Sequence, residues 1–120
     1  MNTNEYVGEA ISLLEKLIAI PSFSTEEDET AGCLAAWMEE HEIEFQRTGN
    51  NLWSKNKYYD PAKPNLLLNS HHDTVRPNKG YTLDPFQPTI KNGRLYGLGS
   101  NDAGGCLVSL LQTFRHFFQS

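Results

Sequence analysis

The sequence predicts an α/β fold in which an incomplete mixed sheet is flanked by helices. Three observations carry that expectation: apolar residues repeat at helical spacing in the N-terminal third, a Gly-Asn pair separates two short strand-like runs, and a continuous apolar run follows. The composition agrees, since 38% hydrophobic and 21% charged residues over 120 positions are ordinary values for one globular domain.

From Glu5 to Ile20, the residues Val7, Ile11, Leu14, Leu17 and Ile18 recur at three- and four-residue steps, which places them on one stripe of an amphipathic helix that Pro21 ends. Ser24-Thr25-Glu26-Glu27 has the Ser-x-x-Glu form of a capping box, so a second helix is expected to run from there to about His41. Ala31, Leu34, Ala35 and Met38 would form its inner face, with Trp37 at one edge. Ile43–Arg47 and Asn51–Lys55 then read as strands flanking Gly49-Asn50, a pair that favours the positive backbone angles of tight hairpin turns.

A proline-bearing loop, 58–64, delivers the chain into Asn65-Leu66-Leu67-Leu68-Asn69-Ser70, which fits a strand buried on both faces. Residues 76–91 contain Pro77, Pro85 and Pro88 and read as a long irregular loop; Asn92-Gly93 and a short strand, Arg94–Gly97, follow. The last segment turns through Gly97–Gly105 into a helix carrying Leu107, Val108, Leu110, Leu111, Phe114, Phe117 and Phe118, apolar around most of its circumference. With Ser120 two residues beyond, such a helix is expected to need further chain, or a partner, to cover it.

Ten basic against fifteen acidic residues give a formal charge of -5 without a Lys/Arg cluster, so neither nucleic acid nor an anionic membrane is expected as a partner. The start, Met1–Glu5, lacks the basic and apolar regions of a signal peptide, and the expected location is cytoplasmic. Cys33 and Cys106 lie in separate helices without Cys-x-x-Cys spacing and read as buried small apolar residues.

Ser70-His71-His72-Asp73-Thr74-Val75 sits where the apolar run ends, the place at which open α/β sheets put their ligands. Extended geometry alternates side chains, so His71 and Asp73 project to one side and His72 to the other. A neutral imidazole can bind a metal through one nitrogen while its other N–H is held by a carboxylate. Asp102, in the glycine-bracketed turn, is either an N-cap for the following helix or a second strand-end carboxylate able to share an ion with His71. A phosphate cradle is not expected, because Gly97-x-Gly99 fails to continue as Gly-x-Gly-x-x-Gly and no Gly-Lys-Ser/Thr follows.

Taken in order, Leu67–Val75, Asp84-Pro85-Phe86 and Asn92–Gly105 resemble the zinc metallopeptidase and deacylase family of acetylornithine deacetylase, succinyl-diaminopimelate desuccinylase, carboxypeptidase G and the aminoacylases. The resemblance implies that residues 1–120 are the N-terminal portion of a metallopeptidase-like catalytic domain, with the rest of that domain and a lid or dimerisation domain absent. It implies two zinc ions, or cobalt, with His71 ligating one, Asp102 bridging both and Asp73 orienting the His71 ring. The metals would activate water for attack on the amide of a small N-acylated amino acid. The family's general-base glutamate has no counterpart before Ser120, so the chain alone is expected to be inactive, and the intact protein is a possible homodimer.

Ser70, Ala103 and Gly104 depart from the family's usual Gly, Met and Lys. Asn101-Asp102-Ala103-Gly104 points to the acetylornithine branch and to arginine biosynthesis. Two other readings compete: a self-contained α/β binding or interaction module in which His71 and Asp102 are structural, and a cysteine enzyme built on Cys106 near a helix N-terminus.

Overall fold

The computed structural model describes all residues, 1–120. Helix α1 spans Thr3–Ala19, α2 spans Asp28–Glu40 and α3 spans Gly105–Phe117; between α2 and α3 lie two antiparallel hairpins, β1 (Gln46–Thr48) with β2 (Asn51–Trp53), and β3 (Thr89–Lys91) with β4 (Arg94–Tyr96). The α/β class holds. In place of the mixed sheet expected, the two hairpins are separate two-stranded sheets, and the parallel pairing is a single bridge, Phe23 with Thr74.

Helix α1 starts on a capping box: the Asn2 side chain accepts from the Glu5 amide at 3.0 Å, and the Glu5 carboxylate accepts from the Asn2 amide at 2.7 Å. These bonds satisfy two of the amides a helix start leaves without partners. The box expected at Ser24–Glu27 does not form. Helix α2 begins after Glu27 without a side-chain cap, and Ser24 is turned elsewhere by the positive φ of Thr25.

The core gathers twelve residues, including Leu13, Leu14, Leu17 and Ile18 of α1, Leu34, Trp37 and Met38 of α2, and Leu107, Val108 and Leu111 of α3. Each such aliphatic side chain contributes about 1.5–3 kcal/mol by leaving water. Val7 and Ile11, assigned to the inner stripe of α1, are exposed; the face that the first half of α1 turns to α3 carries Tyr6, whose carbonyl accepts from Gln112 Nε2 at 2.9 Å, and Ala10. Ala35 is only half-buried, whereas Trp37 lies fully in the core.

Helix α3 is covered on one side only: Leu107, Val108 and Leu111 are buried, Leu110 and Phe114 partly buried and Phe117 exposed, in line with an apolar circumference that the rest of the chain does not fully cover. Cys33 is half-buried and burial raises its thiol pKa; Cys106 is exposed, correcting the expectation that both are buried.

The Gly49-Asn50 hairpin forms as expected but with shorter arms. The Asn92-Gly93 pair closes a second one, its two residues at φ 52° and 74°, the signs a two-residue turn of opposite hand requires. Its first arm, β3, lies within the stretch read as irregular. Residues 65–70 form no strand, and Leu66 and Leu67 are each 85% exposed. A strand buried on two faces needs neighbours on its edges and layers above and below, and this chain places none there.

Candidate metal centre

Residues 71–75 leave that exposed run extended and are pinned by the bridge to the segment after α1: the Thr74 amide donates to the Ser22 carbonyl at 2.7 Å and the Ser24 amide to the Thr74 carbonyl at 3.1 Å. Extended backbone alternates its side chains, and the result is visible in the two histidines. The His71 ring faces Asp102, with Nε2 3.1 Å from Oδ1. The His72 ring points the other way, Nδ1 2.7 Å from the Thr30 hydroxyl and Nε2 donating to the Asn50 carbonyl at 2.8 Å. His72 thereby ties the β1–β2 turn to α2 beneath the site.

Nδ1 of His71 donates to the Asp73 backbone carbonyl at 3.0 Å, and the Asp73 carboxylate lies 3.3 Å from the same nitrogen. A carbonyl can only accept, so the proton sits on Nδ1 and Nε2 is the nitrogen turned to Asp102. The Asp73 carbonyl raises the His71 pKa above its ordinary value against partial desolvation, and Asp102 adds to the rise. Asp73 is in turn held by Ser24, whose hydroxyl donates to Oδ2 at 2.5 Å; this bond is the largest cause of a lowered carboxyl pKa. Nothing local in the sequence announces Ser24, 49 positions upstream of its partner.

Asp102 arrives from the other side of the site. Gly97 ends β4 against Ile18 of α1, where a β-carbon would collide with the isoleucine side chain. Gly99 then takes φ 78°, and a β-carbon there would stand 2.6 Å from the Thr74 side chain. Two requirements, a left-handed backbone and close approach to the strap bearing His71, make this position a glycine. Within Ser100–Gly104 the backbone is not helical at Asp102 and Ala103, and the Asp102–Ala103 peptide is cis. Helix α3 has no side-chain cap. Asp102 therefore does not serve as its N-cap; its carboxylate, 85% exposed, is directed at His71.

One imidazole nitrogen and one carboxylate oxygen form the mixed donor set that suits zinc or a neighbouring divalent ion. Two ligands of one zinc, at bonds of about 2.0–2.2 Å, stand roughly 3–3.5 Å apart; the 3.1 Å between His71 Nε2 and Asp102 Oδ1 meets that spacing. No group of three or more His, Cys, Asp or Glu side chains placed to hold a metal ion is assembled in the chain, so His71 and Asp102 converge as a pair. Cys106 has no base beside it: His116, on the same helix, is 3.2 Å from the Tyr6 hydroxyl instead.

His71 and Asp102 lie in a segment with known relatives. Residues 67–120 match the profile of Peptidase family M20/M25/M40, and over that span the chain resembles this family. The acetylornithine deacetylase of Photorhabdus laumondii is 33% identical over 117 residues, which cover 88% of this chain and 30% of that protein. Two succinyl-diaminopimelate desuccinylases are also similar: that of Blochmanniella floridana is 28% identical over 120 residues (94% of this chain, 31% of that protein), and that of a Wolbachia pipientis strain 36% over 99 residues (77% and 24%). This chain thus spans about 30% of the length of the curated relatives it matches. The structure is accordingly an α/β part of a peptidase-family domain.

Proposed function

We propose that this chain carries one edge of the metal centre of a metal-dependent amidohydrolase that removes an acyl group from an N-acylated amino acid. The observation that supports it best is the convergence of His71 Nε2 and Asp102 Oδ1, from segments 31 residues apart, to 3.1 Å. In this reading His71 and Asp102 are ligands, with Asp102 shared between two zinc ions, or cobalt. Asp73 is a positioning residue: its carbonyl fixes the proton on Nδ1 and leaves Nε2 free to bind, while Ser24 keeps the Asp73 carboxyl ionised.

When bound, the metals supply a Lewis acid for the amide carbonyl and lower the pKa of a water molecule toward neutrality. The chain's own residues hold and orient that site but provide no glutamate beside it to move the proton, so the chain by itself is inactive. The location that goes with this reading is the cytoplasm. The Asn101-Asp102-Ala103-Gly104 turn favours acetylornithine and arginine biosynthesis over the desuccinylase branch.

Calorimetric titration with zinc tests the reading. His71→Ala and Asp102→Ala should each weaken zinc binding about tenfold or more, as loss of a ligand does, and Asn101→Ala should leave it unchanged. Equal affinity in all four proteins would overturn the assignment. Purified chain with added zinc should show no turnover of N-acetylornithine; a rate near an ordinary enzyme's roughly 10 per second would contradict the inactivity of the isolated chain.

A further inference from the structure

His71, His72 and Asp73 make no backbone–backbone hydrogen bond; the first in this stretch is at Thr74. An extended strap without ladder partners over three residues is free to turn about its own axis, so side chains must set its rotation. Ser24 grips Asp73 on one side. On the other side the hold is His72, with both ring nitrogens engaged: the Thr30 hydroxyl at Nδ1 and the Asn50 carbonyl at Nε2.

Both anchors of that ring are firm. Thr30 is buried in the first turn of α2. Asn50 belongs to the β1–β2 turn, and the exposed Arg47 braces that turn against α2. Its Nε donates to the Gly49 carbonyl at 2.8 Å, and one Nη reaches the Asn50 side chain at 3.4 Å and the Asp28 carbonyl at 3.5 Å. A ring held at two points, by two elements that are themselves braced together, has one orientation. Successive side chains of an extended strap project oppositely, so fixing His72 fixes the direction in which His71 leaves the backbone.

We infer that Thr30, His72 and Arg47 form a clamp that presents His71 Nε2 to Asp102, which makes His72 and Arg47 positioning residues although neither faces Asp102. The clamp's effect on zinc rests on the proposed function; its effect on the His71 ring rests on geometry alone. A ligand pair carried on a loose strap binds in proportion to the fraction of time it is assembled. Releasing the clamp therefore weakens zinc binding without removing a ligand.

Nitrogen-15 spectra of the imidazoles, recorded without metal in alkaline solution, give the first readout. The neighbouring rings hold opposite tautomers, His71 with its proton on Nδ1 and His72 on Nε2, and so carry distinct signatures. Arg47→Met, a surface change, and His72→Phe should each turn the His71 signal into a tautomer average. Both should weaken zinc in calorimetry about threefold, as expected when the paired geometry is populated about a third of the time. His72→Gln, whose amide can still donate to the Asn50 carbonyl, should recover part of both effects. Leu13→Ala, which loosens the core away from the strap, should change neither at a matched fraction folded. An unchanged His71 signal in Arg47→Met and His72→Phe would overturn the clamp, as would the same change in Leu13→Ala. So would unaltered zinc affinity in both clamp variants of a protein whose binding falls with His71→Ala. Zinc affinity that ignores His71→Ala, with a His71 signal that still answers to the clamp, would sink the metal reading and leave the clamp standing.

Discussion

Thr30 is the most completely buried large side chain, at 1% exposure, and its hydroxyl is shared between the Glu27 carbonyl at 3.1 Å and His72 Nδ1 at 2.7 Å. With His72 Nε2 donating to Asn50, Nδ1 of a neutral ring is an acceptor that only Thr30 can fill. Thr30→Val keeps the volume and deletes the donor, so it should destabilise the fold by about 1–3 kcal/mol, the cost of an unsatisfied buried polar atom. Thr30→Ser should recover most of that. Urea midpoints of the three proteins decide the point, and an unchanged midpoint for Thr30→Val would mean that the His72 contact carries no weight. At this scale the sequence was informative about direction and silent about partners. Alternation along an extended strap was enough to put His71 and Asp73 on one side and His72 on the other. Ser24, Thr30 and Asn50 were not legible, because each lies more than twenty residues from the group it holds and hydrogen-bond partners at that range leave no local pattern.

Elements were legible where the controlling interactions are local. Helical periodicity placed α1 and α2 within two or three residues, and Gly49-Asn50 placed the first hairpin. The capping box was misplaced for an instructive reason: Asn2-x-x-Glu5 and Ser24-x-x-Glu27 have the same spacing, and the second is broken by its backbone, with Thr25 at φ 74°. The two sites should therefore answer differently to the same kind of change. Asn2→Ala should lower helix content and cost about 1 kcal/mol of stability, as loss of an N-cap does. Ser24→Ala should leave the helical circular dichroism of α2 intact and instead release the Asp73 carboxyl, whose pKa should rise toward its ordinary value when followed by carbon-detected titration. Loss of helicity in Ser24→Ala would show that the serine caps after all. The unformed strand at 65–70 is the opposite case, since its apolar run describes an environment that must be supplied by other segments.

The whole molecule carries the mark of that missing environment. Its radius of gyration is 15.1 Å and its extents are 50 × 33 × 24 Å, against roughly 13.6 Å for a compact domain of this length. The solvent-accessible surface is 8199 Å², where a compact monomer of this mass would present roughly 6,600 Å². Extra surface of this kind is innocuous when scattered, but Leu66 and Leu67 are adjacent, 85% exposed and carried on a backbone without ladder partners. An apolar extended segment with free amides and carbonyls is a template for pairing with another chain. The chain should accordingly associate with itself as concentration rises, and a Leu66→Lys, Leu67→Lys double variant should suppress this, because two charges on one edge repel when copies pair. Sedimentation velocity across a concentration series reads the difference. The α1–α2–α3 core lies apart from these residues, so the variant should keep the wild-type unfolding midpoint; equal association in both proteins would place the contact on another face, for which the exposed Val7, Ile11 and Phe117 are the next apolar group.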